Sequence, residues 1–111
     1  MKSHEQRDLF PGALEMMILR TLKRHPLHGY ALAQHIKQTS NDLLQIEEGS
    51  LYPALQRLLL QGWVQGEWAK TEENRRARYY RITSSGRKQL ERELSRYRRG
   101  SEAIGRVLQP V

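Results

Sequence analysis

The stretch GSLYPALQRLLLQ, residues 49–61, decides how the rest of the chain is read. Leu51, Leu55 and Leu58 recur at helical spacing and form one apolar stripe, and Gly62 supplies a stop of the kind that ends helices. At 100° per residue from Leu51, Pro53, Gln56, Arg57 and Leu60 point away from that stripe, with Ser50 on its flank. A helix with a buried stripe and an outer face of this make-up meets something other than its own core there. Pro53 constrains the start: either the helix begins nearer Tyr52, or it absorbs one missing hydrogen bond.

Upstream, Leu14, Met17, Ile18, Thr21 and Leu22 predict a first helix over residues 10–24. His25, Pro26, Leu27, His28 and Gly29 read as a turn. A second helix follows over 30–39 with Leu32, Ala33 and Ile36 inward, and Leu43, Leu44 and Ile46 are expected to close the core. Downstream, residues 63–68 and 78–83 have strand character. Residues 69–77 between them predict a long, largely cationic loop. Three helices and a β-hairpin give a mainly α chain in the order of a winged helix-turn-helix.

A last helix is predicted from Thr83 or Ser84, either of which makes a good N-cap. Leu90, Leu94, Tyr97, Ser101, Ile104 and Leu108 are spaced 4, 3, 4, 3 and 4, a heptad seam with one polar position. So narrow a stripe on a charged helix adds little to a monomer core, which points to a partner helix, such as a second copy. Gly100 and Gly105 weaken the helix, which is expected to kink or fray beyond Arg99. The chain therefore divides into a winged-helix domain, residues 1–83, and a dimerisation helix with its tail, residues 84–111.

Composition narrows the function. The 111 residues suit a single domain, and 19 Lys and Arg against 12 Asp and Glu leave a formal charge of +7, which favours a polyanionic partner. The surplus is uneven: residues 1–69 carry 7 basic and 7 acidic side chains, whereas residues 70–111 carry 12 and 5. The absence of cysteine excludes disulfides, thiolate metal sites and thiol catalysis, and fits a reducing cytoplasm. No apolar run approaches the roughly 20 residues of a membrane span, and no signal-peptide core is present, so a soluble, unprocessed chain is expected. His4, His25, His28 and His35 form no ligand pattern with the carboxylates, and no nucleophile elbow, phosphate loop or paired-carboxylate motif occurs. Neither metal, cofactor nor catalysis is expected.

Several short stretches then combine: Pro11-Gly12, His28-Gly29-Tyr30, Glu48-Gly49-Ser50-Leu51-Tyr52-Pro53-Ala54-Leu55, Gly62-Trp63, Arg78-Tyr79-Tyr80-Arg81-Ile82-Thr83 and Gly86. Together they resemble the short subclass of PadR-type transcriptional regulators, over residues 9–108. The resemblance implies a dimeric winged-helix repressor of double-stranded DNA. Its third helix would enter the major groove and its wing would reach the adjacent backbone or minor groove. The C-terminal helix would pack across the partner, often with helix 1. Relatives often respond to phenolic or drug-like compounds, so the resemblance leaves room for a small-molecule effector, although none can be read from these residues. One departure stands out: relatives commonly carry charged residues just before the Gly-Trp pair, where this chain has Leu59, Leu60 and Gln61.

The candidate site residues follow. Arg57 and Gln56 can make bidentate contacts with guanine and adenine edges, and Ser50, Tyr52 and Pro53 share the DNA-facing helix, with Tyr52 equally suited to a core edge. Lys70, Arg75, Arg76 and Arg78 suit backbone tracking by the wing, with Glu72 and Glu73 tempering their field. His28 and Tyr30 are candidates for a phosphate contact, a structural turn being their stronger reading. Leu90, Leu94, Tyr97, Ile104 and Leu108 form the expected dimer interface, and an effector cavity would be lined by Met16, Met17, Leu94 and Tyr97, plain packing being the stronger reading of these four. A protein-interaction module with no DNA target is the alternative. RNA binding is disfavoured because no exposed aromatic platform is expected on the wing or helix 3.

Overall fold

The structure, a computed structural model, describes residues 12–110. The chain order is α1 (Ala13–Leu22), β1 (Leu27–His28), α2 (Gly29–Thr39), α3 (Glu48–Leu60), β2 (Val64–Lys70), β3 (Arg76–Ile82) and α4 (Ser84–Leu108). The expected start of helix 1 at Phe10 and Pro11 lies outside the described residues. The architecture is the expected one, mainly helical with a small antiparallel sheet. That sheet has three strands rather than two, in the order β1-β3-β2. Residues 27 and 28, read as part of a turn, pair with Tyr80 and Tyr79 of β3.

The helices form where periodicity places them, and Ile18, Leu19, Leu22, Leu32, Leu51, Leu55 and Leu58 pack into one core with Val64 and Ile82 from the sheet. Leu44 and Ile46 pack against this core, but Leu43 is exposed and closes nothing. Pro53 sits within α3, so the helix does absorb a missing bond. The carbonyl that loses its donor belongs to Gly49, an exposed residue in the first turn, where water replaces the bond at small cost. Gly62 ends the helix with φ 76°, a left-handed conformation that a side chain would resist.

The hairpin is longer and its loop shorter than the sequence suggested. Seven residue pairs, from Val64↔Ile82 to Lys70↔Arg76, carry the ladder outward. Only residues 71–75 remain for the turn. There Thr71 N–H donates to the Arg75 carbonyl at 2.7 Å and Asn74 N–H to the Thr71 carbonyl at 2.9 Å. The cationic segment is thus a structured strand tip, not a long loop.

Two further corrections concern α4. It is continuously helical through Leu108, with no break at Gly100 or Gly105. Its first half also belongs to the core: Leu90 has 0% exposure, and Leu94 packs against the same cluster. Leu90 is therefore claimed within the chain, and a partner has no access to it. At its start, Thr83 Oγ1 accepts from the Gly86 N–H at 3.0 Å and donates to the Gly62 carbonyl at 2.7 Å, joining the helix cap to the turn that ends α3.

Candidate nucleic-acid interface

Side chains of residues directly opposed across an antiparallel pair share a face. The register therefore places Val64 and Ile82, Gly66 and Tyr80, Trp68 and Arg78, and Lys70 and Arg76 in successive rungs of one face. At the base that face is core. Beyond Tyr80 the ladder outruns the helices, and the same face becomes aromatic and cationic.

The two arginines on it are held rather than loose. Arg76 places its guanidinium 4.7 Å from the Trp68 ring centroid, and Arg78 lies 5.8 Å from that of Tyr80. Arg78 occupies the space left by Gly66, where an added Cβ would come within 2.5 Å of its Nε. That Nε is buried without a hydrogen-bond partner among the described residues. Arg75 follows at the turn, where its backbone N–H donates to Thr71 Oγ1 at 3.2 Å. Lys70, Arg75 and Arg76 are exposed and Arg78 is half-buried.

Tyr80 is buried in the core at the base of the wing. Burial pushes its phenol above the ordinary value, Arg78 pulls it part of the way back, and the nearby Tyr52 raises it slightly. Tyr52 in turn reaches the start of α2. A Cβ on Gly29 would lie 2.5 Å from the Tyr52 hydroxyl, so glycine at 29 is what lets the tyrosine ring settle there. Tyr52 is thus both a half-exposed surface residue and a packing contact. Pro53 and Gln56 are exposed on the outer face, Ser50 is half-buried, and Glu47 and Glu48 stand at the helix start. Their carboxylates suit the helix dipole but oppose a phosphate at that terminus.

Other expected residues take different places. The His28 side chain caps α2, with Nδ1 accepting from the Ala31 N–H at 3.2 Å, and its ring meets Tyr79 edge-on at 5.2 Å. This is the structural role, and it occupies the nitrogen that a phosphate contact would have used through Nδ1. Tyr30 is exposed, and its hydroxyl accepts from Gln34 at 3.2 Å, leaving its own proton free to donate. Arg57 is exposed but engaged: its guanidinium lies 2.6 Å from Glu15 on α1.

Two participants escaped sequence reasoning. Trp68 is 58% exposed, so the wing does carry an aromatic surface, contrary to expectation. Its parity with Val64 was visible, yet parity alone does not show that the strand has outrun the core. Glu15 left no local signal, since its partner is 42 positions away.

Away from this surface, Tyr97, Ile104, Val107 and Leu108 leave apolar area exposed along α4. A cavity of about 400 Å³ opens beside it, and Met16, Met17, Ile36, Leu44 and Leu94 line it together with Arg20, Arg24 and His35. It includes three of the four residues expected of an effector cavity, and Tyr97 is not among its walls. Among the described residues, no helix is long and apolar enough to cross a membrane.

The family model of the transcriptional regulator PadR-like family matches residues 18–92, from α1 into the first half of α4. This chain belongs to that family. Solved structures of transcriptional regulators share the fold over about nine-tenths of this chain. A transcriptional regulator from Clostridium thermocellum superposes with a TM-score of 0.82 at 25% identity, covering 89% of this chain and 96% of that one. A PadR family transcriptional regulator from Eggerthella lenta gives 0.77 at 30% identity, covering 91% and 86%. In sequence, an uncharacterized protein of Lysinibacillus sphaericus is 32% identical over 83 residues, which is 75% of this chain and 76% of that protein.

Proposed function

We propose that this PadR-like regulator is a cytoplasmic repressor that binds a two-fold-related operator as a homodimer, each copy reading one half-site. The observation that carries this reading is the exposed wing face, where Trp68, Lys70 and Arg76 stand beside the half-buried Arg78, together with the exposed Tyr52, Pro53 and Gln56 on α3. α3 enters the major groove, where Gln56 and Arg57 contact base edges. The wing cations, with Arg75 at the tip, follow the phosphates or the minor groove. Tyr30 and Ser50 add backbone contacts. Repression is steric, since an operator overlapping a promoter excludes polymerase.

The dimer forms through the exposed part of α4. Tyr97, Ile104 and Leu108 continue the heptad spacing after Leu90 and Leu94 have turned into the core, and their apolar area is the surface a second copy would cover. An effector would sit in the cavity beside α1, α2 and α4, with an apolar floor and a rim of Arg20, Arg24 and His35 suited to an anionic or phenolic group.

The test is a gel shift with duplexes selected from a random pool, run beside a scrambled duplex. Arg57→Ala should lose base preference. Arg75→Ala and Arg76→Ala should weaken binding to both duplexes alike, and removing the one phosphate neutralised by each arginine should lower the slope of log K against log salt by about 0.9. Equal weakening on both duplexes for Arg57→Ala would reject base reading by α3. Failure to enrich any duplex, with the C-terminal seam still mediating association, would leave a protein-interaction module.

A further inference from the structure

The pairing of Arg57 with Glu15 joins the helix proposed to read DNA to a helix that does not face it. Arg57 Nε donates to Glu15 Oε2 at 2.7 Å, and Nη2 lies 2.6 Å from the same oxygen as an ion pair. A guanidinium has five N–H donors in a rigid fork. The edge formed by Nε and Nη2 is turned to one carboxylate oxygen, with Nε as the donor. The outer edge, formed by Nη1 and the second Nη2 hydrogen, remains unoccupied among the described residues, and that edge has the geometry for guanine O6 and N7. Glu15 keeps 26% of its side chain exposed and Arg57 keeps 58%, so the carboxylate is the more enclosed member and the guanidinium the one presented outward.

Electrostatics adds a second consequence. Arg57 is the one basic residue in α3, which also carries Glu48. Glu48 already balances Arg57 within α3, and Glu15 places a second negative charge directly on the guanidinium, so phosphates are drawn to the wing instead. What Arg57 retains is direction: hydrogen bonds that form only where a base edge presents matching acceptors. A long, flexible cation with no such partner would be satisfied by any nearby phosphate.

We infer that Glu15 is a positioning residue that orients Arg57 for base reading and withholds it from phosphates, so that a residue outside the DNA-facing surface sets part of the sequence specificity. The inference rests on the DNA-reading function proposed above.

Its test compares Glu15→Gln and Glu15→Ala with the wild-type chain on a pool-selected duplex and on a scrambled one, across a salt series. Either substitution should weaken binding to the selected duplex and strengthen binding to the scrambled one, lowering their affinity ratio about tenfold, within the range one bidentate base contact supplies. On scrambled DNA the salt slope should steepen by about 0.9, the signature of one added phosphate interaction. In an Arg57→Ala background, Glu15→Gln should change neither quantity further. A merely structural role would instead lower both affinities together, alongside the thermal midpoint, and would persist when Arg57 is absent. An unchanged ratio, or affinity that rises on both duplexes, would overturn the inference while leaving DNA reading intact. A wild-type chain that prefers no duplex would instead overturn the function on which it rests.

Discussion

Replacing Leu90 with alanine separates two readings of α4 that the sequence treats as one. Leu90 has 0% exposure within a single chain and packs in the same cluster as Met16, Leu19 and Val64. Truncation of a fully buried leucine loses the transfer free energy of the removed atoms and leaves a cavity, a cost of about 2.7–5.0 kcal/mol in well-packed cores. Native domains are stable by only about 5–15 kcal/mol, so the loss would be a large share of the total. Urea unfolding of wild type and Leu90→Ala at protein concentrations about a hundredfold apart measures it. Dilution of an associating chain lowers apparent stability by RT ln 100, about 2.7 kcal/mol. The Leu90→Ala loss should be the same at both concentrations because it resides within each copy. Ile104→Ala, which removes exposed apolar area, should change the concentration dependence and leave the dilute limit alone. A Leu90→Ala loss below about 1 kcal/mol, or one that disappears on dilution, would refute the placement of Leu90 in the monomer core.

Two other outcomes follow from the packing. A Cβ at Gly86 would collide with the Trp63 carbonyl oxygen and lie 2.9 Å from Ile82 Cγ1, whereas Gly105 has open space around it. Gly86→Ala should therefore lower stability by about 2–3 kcal/mol, and Gly105→Ala should raise it by about 0.5–1 kcal/mol, as read by thermal unfolding; the opposite ranking would contradict the junction described between β3 and α4. Tyr80 supplies a pH dependence. Its phenol is held neutral in the fold above the value near 10 at which the unfolded chain ionises, so stability falls as pH rises past about 10. Tyr80→Phe should flatten that fall relative to wild type in alkaline denaturation, and parallel curves would show that burial does not perturb the phenol.

Local order explains what the sequence disclosed. Helices α1 to α3 form where apolar residues repeat at 3.6-residue spacing, since that repeat is a property of neighbouring residues and needs no partner to be recognised. The Thr83 cap and the Gly62 stop were visible for the same reason. So were the cations of the wing, the outer residues of α3 and the family resemblance that linked them. β1 was not visible, because two residues have no period and their strand identity depends on Tyr79 and Tyr80, some fifty positions later. The wing's length was not visible either, because residues 69, 70, 76 and 77 become strand only by pairing with one another.

By itself, then, the sequence determined the order of the elements, the stripe that each helix buries and the location of the positive charge. Tertiary structure decided what stands opposite each side chain. Along α4 the same 4-3 spacing continues from Leu90 to Leu108, yet the first leucine is sealed in the core and the last is exposed, because α1 lies across one and not the other. On α3, Arg57 looked like a free cation on an outer face until Glu15 closed on it from α1. Periodicity reports which direction a side chain faces along its own element, whereas burial and charge compensation depend on a second element, brought close by the chain's path rather than by its local pattern.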